Sequence, residues 1–503
     1  MSVNSIDTIC ALSTVEGRGA IAVIRVSGPE SIQIVDKIFK PIKGEPFGQT
    51  KSYSLRYGTV MDSDRVIDQV LVSVFRSPNS YTGEDMVEIS CHGSNYIQQE
   101  IVSLLLNNGA KLAKAGEFSQ RSFLNGKMDL AQAEAVADLI MAETASAHRV
   151  ALMQMKGGFS NELSKMREAL LEVVSLMELE LDFSEEDVEF ADRKRLRELV
   201  DGVYAHVSSL ADSFKLGNVI KNGIPVAIAG ATNTGKSTLL NILLQEERAI
   251  VSDIHGTTRD FIEGFMNIDG VGFRFIDTAG IRETKETIEI IGIERSFEKI
   301  KSASIVLLML DSERADLFEQ GVNQLAQVID RENQQVIILV NKIDRIEELL
   351  YEKNISPTTV YGTAYDAIND PIESRYAKKI VEDFVAEIES LCKEHKIEPK
   401  GIIPISAKGL IGIEQLKKTI FDSRGGNLDN PHSTMVTNLR HYQALKDAKE
   451  SLERVTQGLD MNISTELISQ DIREAMYHIG SIVGEINTEE ILGNIFSKFC
   501  IGK

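Results

Sequence analysis

Residues 230–237 read Gly-Ala-Thr-Asn-Thr-Gly-Lys-Ser, which is the spacing of a phosphate-binding loop. An apolar, strand-like run precedes them at residues 225–229 and a helical pattern follows, as such a loop requires. Glycines allow backbone N–H groups to wrap phosphates, Lys236 can reach the β- and γ-phosphates, and Ser237 can offer a hydroxyl to Mg²⁺. The pattern predicts a nucleoside triphosphate site.

Two later loops predict which base is bound. Residues 341–344 (Asn-Lys-Ile-Asp) follow an apolar run, and the Asp344 carboxylate can accept hydrogen bonds from N1–H and the 2-amino group of guanine. Adenine has neither donor and would leave the carboxylate unpaired. Residues 406–408 (Ser-Ala-Lys) fit a loop that contacts the guanine carbonyl through its backbone. The sequence therefore predicts GTP.

The segments between these loops have the order of a nucleotide switch. Thr257 and Thr258 lie 21 and 22 residues after Lys236, where a switch loop brings a threonine hydroxyl to Mg²⁺. Residues 277–280 (Asp-Thr-Ala-Gly) follow another strand-like run, with Asp277 near the metal and the Gly280 N–H at the γ-phosphate. The predicted GTP contacts are Asn233, Thr234, Gly235, Lys236, Ser237, Thr238, Ser252, Asp253, Ile254, His255, Gly256, Thr257, Thr258, Asp277, Thr278, Ala279, Gly280, Asn341, Lys342, Asp344, Ser406, Ala407 and Lys408.

Two residues leave alternatives open for hydrolysis. Ile281 occupies the place where Ras-like switches have the glutamine that orients the attacking water, and an aliphatic side chain cannot do this. Glu283 is the nearest candidate base, acting through a water, or it is an exposed loop glutamate. Asn233 either helps to hold a monovalent cation against the phosphates or only adopts a left-handed turn.

The predicted fold class is multidomain α/β plus α. A chain of 503 residues exceeds one ordinary domain, and its strand and helix patterns change along its length. We expect an N-terminal α+β domain, followed by a helical bundle into which a Ras-like domain with a doubly wound, mostly parallel sheet is inserted. The predicted boundaries are residues 1–127 for the N-terminal domain, 128–220 and 426–503 for the two helical parts, and 221–425 for the Ras-like domain.

The composition limits the partners and the compartment. A net charge of −21 argues against nucleic-acid binding through bulk charge, and for the basic run at residues 193–197 a solvated helix face is favoured over an RNA site. No apolar run is long enough to span a membrane and no export signal is recognisable, so a cytoplasmic protein is expected. The four cysteines lack C-x-x-C spacing, which predicts neither a zinc site nor a disulfide framework, and three of them are expected to be buried.

Five segments carry a resemblance to a known family: residues 8–28, 80–93, 116–137, 280–283 and the terminal Phe-Cys-Ile-Gly-Lys at 499–503. Through them the chain resembles, over nearly its whole length, the MnmE (TrmE) family of tRNA-modification GTPases. The resemblance implies a homodimer formed by the N-terminal domain, with G domains that meet when GTP, Mg²⁺ and K⁺ are bound. It implies Mg²⁺ at Ser237 and Thr258, K⁺ at Asn233, Ser252, Ile254 and Thr257, and Glu283 as the general base acting through water.

The resemblance also implies a one-carbon donor, 5-formyl- or methylene-tetrahydrofolate, held at Arg25, Glu88, Lys127 and Lys503. From the residues alone, Arg25 and Glu88 are interpreted as an ion pair at a strand edge. Cys500 either has a role in the modification reaction or is a small buried residue. The family acts with the FAD-containing MnmG, as a heterotetramer, on C5 of the wobble uridine (U34) of tRNA, where it adds an aminomethyl or carboxymethylaminomethyl group. GTP hydrolysis drives the conformational change that this reaction requires.

Three departures from the family pattern affect the nucleotide loops. Thr232 replaces the usual Pro, Ser252 replaces the usual Thr, and the segment 351–396 is long. Two other classes of GTPase compete with this interpretation. A ribosome-assembly GTPase would carry a basic RNA-binding domain, and a membrane-remodelling GTPase would carry a basic or amphipathic membrane surface. Acidic helices and the terminal CxGK sequence favour neither class.

Overall fold

The computed structural model describes residues 7–43, 45–182, 193–248, 263–277, 300–346, 375–424, 434–461, 463–485, 489–497, 499 and 501–502. The N-terminal part consists of strands around which three helices are arranged. In chain order the elements are β1 (Ile9–Leu12), β2 (Ile21–Ser27), α1 (Ser31–Ile38), β3 (Phe39–Pro41), β4 (Ser54–Asp62), β5 (Arg65–Phe75), β6 (Met86–His92), α2 (Asn95–Asn107), β7 (Lys111–Leu112) and α3 (Glu117–Leu124).

The N-terminal strands form one sheet in the order β3-β4-β5-β6-β2-β1-β7. Its pairings are antiparallel except between β1 and β7, which run parallel. On β5, Val70, Val72 and Val74 are buried while the residues between them are more exposed, so the strand has one core face. That face packs with α1 and α2 into the core of the domain.

Four helices follow: α4 (Leu130–Met141), α5 (Ala145–Met155), α6 (Gly158–Asp182) and α7 (Arg193–Asn222). The change from mixed strands and helices to helices alone begins at Asp129, where a capping interaction starts α4. Asp129 caps α4, because its side chain accepts from the Gln132 N–H while the Gln132 side chain accepts from the Asp129 N–H. Gly157, with φ 82°, separates α5 from α6.

The inserted α/β unit alternates strands and helices. Its elements are β8 (Ile224–Ala229), α8 (Lys236–Arg248), β9 (Glu263–Ile268), β10 (Val271–Asp277), β11 (Ile305–Asp311), α9 (Phe318–Val328), β12 (Gln335–Asn341), α10 (Arg375–Glu394), β13 (Gly401–Pro404) and α11 (Ile413–Arg424). The sheet order is β13-β12-β11-β8-β10-β9, and only β9 is antiparallel to its neighbour among these strands. Apolar clusters cover both faces of the sheet, as in a doubly wound fold.

The chain returns to the helical domain with α12 (Leu439–Asp460), α13 (Thr465–Val483) and α14 (Glu489–Phe496). One core cluster joins residues from both sides of the insertion, including Leu163, Val203, Leu445 and Ile472. Neither helical segment alone would bury these side chains. The predicted fold class, with an α/β domain inserted into a helical one, is confirmed.

Candidate nucleotide site and N-terminal pocket

The phosphate loop depends on residues that adopt left-handed backbone conformations. Gly230, Asn233 and Gly235 have φ values of 144°, 64° and 99°. A Cβ on Gly230 would lie 2.3 Å from the Met309 carbonyl oxygen, and one on Gly235 would lie 2.3 Å from Asn341 Nδ2. Only glycine fits these two positions without displacing a neighbour.

Lys236 opens α8 and lies across the loop that precedes it. Its Nζ donates to the carbonyl oxygens of Gly230 (2.8 Å) and Ala231 (2.6 Å), and the Thr234 hydroxyl donates to the Ala231 carbonyl (2.9 Å). The ammonium is therefore held within the curve of the loop, at the positive end of the helix dipole. Ser237 and Thr238 are exposed in the first turn of α8.

Asn341 connects the phosphate loop to the loop at residues 406–408. This side chain is 3% exposed, its Nδ2 donates to the Thr234 carbonyl (2.8 Å), and its Oδ1 accepts from the Ala407 N–H (3.0 Å). Both ends of the amide are satisfied, so neither loop can shift without losing a buried hydrogen bond. Asn341 remains predicted as a GTP contact, and its side chain also ties two loops of the site together.

The loop at residues 341–344, which is predicted to bind the base, is fixed by an ion-pair cluster that was not predicted from the sequence. Lys342, at φ 67°, donates through Nζ to Asp311 Oδ2 (2.6 Å) and Glu313 Oε2 (2.8 Å). Burial lowers the Lys342 pKa, but the hydrogen bonds and charges of the two carboxylates outweigh it, so the net shift is upward. Asp311 is the last residue of β11 and lies beside the end of β12. Because ligands bind at the carboxyl ends of parallel strands, this position was the sequence signal that could have identified Asp311. Asp344 is exposed beside this cluster.

Other predicted nucleotide residues fall outside the part that the structure describes. These are Ser252, Asp253, Ile254, His255, Gly256, Thr257, Thr258, Thr278, Ala279, Gly280 and Glu283. The backbone of Asp277 ends β10, which pairs with β8 directly before the phosphate loop. Lys408 is exposed and Ser406 is buried, with the Ser406 hydroxyl accepting from the Gly409 N–H (2.9 Å).

A second site lies in the N-terminal domain, where a cavity of about 350 Å³ is lined in part by Glu88 and Lys127. Arg25 on β2 faces Glu88 on β6, and its Nε and Nη2 donate to Glu88 Oε1 at 3.0 and 2.8 Å. The guanidinium lies 5.1 Å from the Tyr81 ring centre and 5.5 Å from that of Phe118. The expected ion pair exists, but its placement at a strand edge is wrong because β2 and β6 are interior strands.

The end of the chain reaches this pocket. The Gly502 carbonyl accepts from Arg25 Nη1 (3.4 Å) and from the Ser13 hydroxyl (3.1 Å). Gly502 is buried at φ 92°, and a Cβ there would lie 2.2 Å from the Leu12 carbonyl oxygen. Lys127 Nζ donates to the Pro78 carbonyl (3.1 Å). Arg25, Glu88 and Lys127 are thus brought near the terminal residues, while Cys500 and Lys503 lie outside the described residues.

The remaining sequence expectations concern cysteines, metals and the basic run. Cys10, Cys91 and Cys392 are buried, as expected, and burial raises their thiol pKa values to about 12, 11 and 11. In the basic run, Arg195 pairs with Glu172 at 2.8 Å and Arg197 with Asp201 at 2.9 Å. Within the described ranges, no cluster of three or more His, Cys, Asp or Glu side chains could hold a metal. No helix in these ranges could cross a bilayer.

Comparison with known proteins decides the family. The model of the MnmE helical domain matches residues 130–500, and that of the GTP-binding protein TrmE N-terminus matches residues 8–127. A tRNA modification GTPase MnmE from Bacteroides fragilis (strain YCH46) is 50% identical over 499 residues, covering 99% of each chain. The protein of that name from Cytophaga hutchinsonii is 45% identical over 500 residues, covering 99% of this chain and 98% of its own. The chain belongs to the MnmE family.

Membership in the MnmE family confirms the predicted resemblance and the prediction of a GTPase. Among solved structures, a GTP-binding protein from Sulfolobus solfataricus in complex with GDP is 18% identical to the chain. The match covers 52% of this chain and 66% of that one, with a TM-score of 0.27. A TM-score this low adds no argument about the fold.

Proposed function

We propose that this chain hydrolyses GTP with the aid of Mg²⁺ and K⁺, and that hydrolysis moves the G domains of a homodimer during modification of the wobble uridine of tRNA. The observation that carries the proposal is the hydrogen-bonded frame from Thr234 through Asn341 to Ala407. These hydrogen bonds hold the phosphate-binding loop against the loops at residues 341–344 and 406–408. The relatives of this chain are named tRNA modification GTPases.

The residues around the phosphate loop fit a nucleotide with Mg²⁺. Two glycines leave no room for a Cβ, Lys236 lies within the loop, and the Ser237 hydroxyl is exposed at the start of α8. Bound Mg²⁺ would neutralise charge on the phosphates. Lys236 would exchange its carbonyl partners for phosphate oxygens, and Asp344 would accept the two guanine donors. Thr258 is proposed as the second hydroxyl ligand.

Asn233 is proposed as one K⁺ ligand, together with Ser252, Ile254 and Thr257. Its left-handed φ of 64° is compatible both with this role and with a purely conformational one. Substitutions separate the two, because Asn233→Gly keeps the backbone conformation and removes the amide oxygen. We expect Asn233→Gly to lose K⁺ stimulation of GTP turnover and Asn233→Asp, which keeps an oxygen, to retain part of it. Full stimulation in the glycine variant would assign Asn233 a conformational role only.

The decisive measurement for the whole proposal is GTP turnover in KCl and in NaCl at equal ionic strength. Strong stimulation by K⁺ that disappears in Glu283→Ala would support cation-assisted hydrolysis with Glu283 as the base acting through water. Equal rates in both salts would contradict the K⁺ role and would point to the altered loop residues Thr232 and Ser252.

The N-terminal pocket is proposed to bind a one-carbon tetrahydrofolate, either 5-formyl or methylene. A carboxylate such as Glu88 suits the amino-pyrimidinone edge of a pterin, as Asp344 suits guanine. Arg25, Lys127 and Lys503 would complete the site, with the hydrogen bonds from Arg25 orienting the Glu88 carboxylate. Calorimetric titration with 5-formyltetrahydrofolate tests the assignment, and unchanged affinity in Glu88→Gln would refute it. A role for Cys500 in the reaction is also proposed, because it lies two residues before Gly502 in the tail.

The cellular role is proposed to require tRNA and the flavoprotein MnmG, in the cytoplasm. Nucleoside analysis of tRNA from cells that depend on this chain provides the test. The 5-(carboxymethyl)aminomethyl group on the wobble uridine should be present with the wild-type chain and absent with Glu283→Ala. Normal modification in cells lacking the chain would refute this role.

A further inference from the structure

The outer face of α5 is basic in a strongly acidic molecule. Residues 145–156 contain His148, Arg149 and Lys156 but no Asp or Glu, although the chain carries a net charge of −21. All three side chains are exposed, while Ala147, Val150, Ala151 and Gln154 are buried on the opposite face. We refer to His148, Arg149 and Lys156 as the α5 basic face.

Three carboxylates on the helices packed against α5 have partners on other segments. On α4, Glu134 binds Arg440 at 2.8 Å and Asp138 binds Lys221 at 2.7 Å. On α6, Glu162 accepts from the Thr434 hydroxyl. Among the residues that the structure describes, the α5 basic face has no ion pair. Its positive charge therefore remains available to a partner.

In contrast to α5, arginines of the basic run at the start of α7 form ion pairs with nearby carboxylates. Arg195 is bound to Glu172, and Arg197 is bound to Asp201 and to Asp460. The sequence draws attention to this run because its cations are consecutive, yet each of these two arginines faces a carboxylate. On α5, Arg149 and the C-cap residue Lys156 are seven residues, or about two turns, apart, and neither forms an ion pair with another described residue.

We propose that the α5 basic face contacts the sugar–phosphate backbone of tRNA. This inference rests on the proposed function, since a tRNA substrate supplies the polyanion. Arg149 and Lys156 lie seven residues apart, or about 10 Å along the helix, which allows them to contact separate phosphates. The planar Arg149 guanidinium can bind a phosphate through two donors, and Lys156 adds a point charge. The exposed Met153 (40%) lies between them and offers an apolar surface to ribose.

The test compares two double variants of the full-length protein that lose the same charge. Arg149→Gln with Lys156→Gln removes two cations of the α5 basic face, and Arg195→Gln with Arg197→Gln removes two ion-paired cations of α7. Affinity for a labelled, unmodified tRNA transcript is measured from 50 to 300 mM salt. The α5 double variant should bind about tenfold more weakly near 100 mM salt, with a log–log salt slope reduced by about two. The α7 double variant should bind like the wild type.

GTP turnover without tRNA, measured on the same preparations, should be unchanged in both variants. That measurement separates this inference from the proposed GTPase mechanism, which stands or fails on turnover alone. Unchanged tRNA affinity in the α5 double variant overturns the inference, as does an equal loss in the α7 variant. Weaker binding to the flavoprotein partner with unchanged tRNA affinity would also overturn it, because the face would then dock a protein.

Discussion

The nucleotide site is built from loops that follow neighbouring strands of one sheet, whereas the N-terminal pocket joins residues from both ends of the chain. Asn341 ties together loops that follow β8, β12 and β13. Arg25 instead binds Gly502, which is 477 residues away in sequence. The first site should therefore depend on its own domain alone. The second should depend on every element that holds the C-terminal tail, here the residues after α14, in place.

The largest expected effect comes from Asn341→Ala. The substitution leaves the Thr234 carbonyl and the Ala407 N–H without their buried partner, at a cost of about 1–3 kcal/mol each. GTP affinity, measured with a fluorescent analogue, should fall by about 100-fold because both loops lose their shared tie. Asn323→Ala, at an exposed position on α9, is the matched control and should bind GTP normally. Tetrahydrofolate binding should be unchanged, and a loss there would break the contrast between the two sites.

Low pH should destabilise the contacts between α4, α12 and α13 in the helical domain, which positions the C-terminal tail. Glu134 on α4 binds Arg440 and His441 on α12, and Arg440 also donates to the Ser481 carbonyl near the end of α13. Burial would raise the Glu134 pKa, but the charges and hydrogen bonds of His441 and Arg440 outweigh it and lower the pKa to about 2. This carboxylate contributes stability above its unfolded pKa, and the contribution is lost as pH falls from about 4.5 towards 2.

Down to pH 3 the loss should be roughly 2 kcal/mol, which is the part of the shift between 4.5 and 3 converted at about 1.4 kcal/mol per pH unit. Thermal unfolding followed between pH 6 and pH 3 should show a lower Tm for the helical domain as the pH falls. Glu134→Gln should flatten that part of the profile and lower Tm at pH 6. An unchanged profile in this variant would show that the Glu134 carboxylate does not couple folding to pH.

The tail itself is tested by Gly502→Ala. A Cβ at this position would lie 2.2 Å from the Leu12 carbonyl oxygen, and φ 92° is unfavourable for alanine. The tail should move away from Arg25, and affinity for 5-formyltetrahydrofolate should fall by about tenfold, or about 1.4 kcal/mol. Gly493→Ala, where an added Cβ meets nothing within 4 Å, is the control. GTP affinity should remain unchanged in both variants, and a parallel loss of GTP affinity in Gly502→Ala would contradict the independence of the two sites.

The same contrast explains what the sequence could reveal. The phosphate loop is contiguous, so its glycines and Lys236 could be recognised from spacing alone. Strands such as β11 and β12 were evident because both faces are buried and their apolar runs are continuous. Strand β10 was predicted but its hairpin partner β9 was not, although the Asp269-Gly270 turn between them, with φ 49° and 84°, is a recognisable hairpin signal.

Contacts between residues far apart in the chain could not be recognised from the local sequence. Nothing in residues 20–30 indicates that Arg25 binds Gly502, and only the resemblance to a family placed Arg25 near the end of the chain, at Lys503. The tie through Asn341 was hidden for a similar reason, because it joins loops 107 and 66 residues apart in sequence. Spacing reveals local chemistry, while packing between distant segments is fixed by the fold as a whole.

The smallest expected effect concerns one hydrogen bond within the nucleotide site. The buried Ser406 hydroxyl accepts from the Gly409 N–H at 2.9 Å and shapes the loop at residues 406–408. Ser406→Ala removes one such bond, worth about 1 kcal/mol, and should weaken GTP binding by roughly threefold to fivefold. Ser423→Ala removes a hydroxyl on α11 that donates to the Thr419 carbonyl, and it should leave GTP affinity unchanged. If Ser406→Ala binds GTP as tightly as the wild type, the loop is held by Asn341 and by the backbone pairing of Ser406 with Ile411, without help from the hydroxyl.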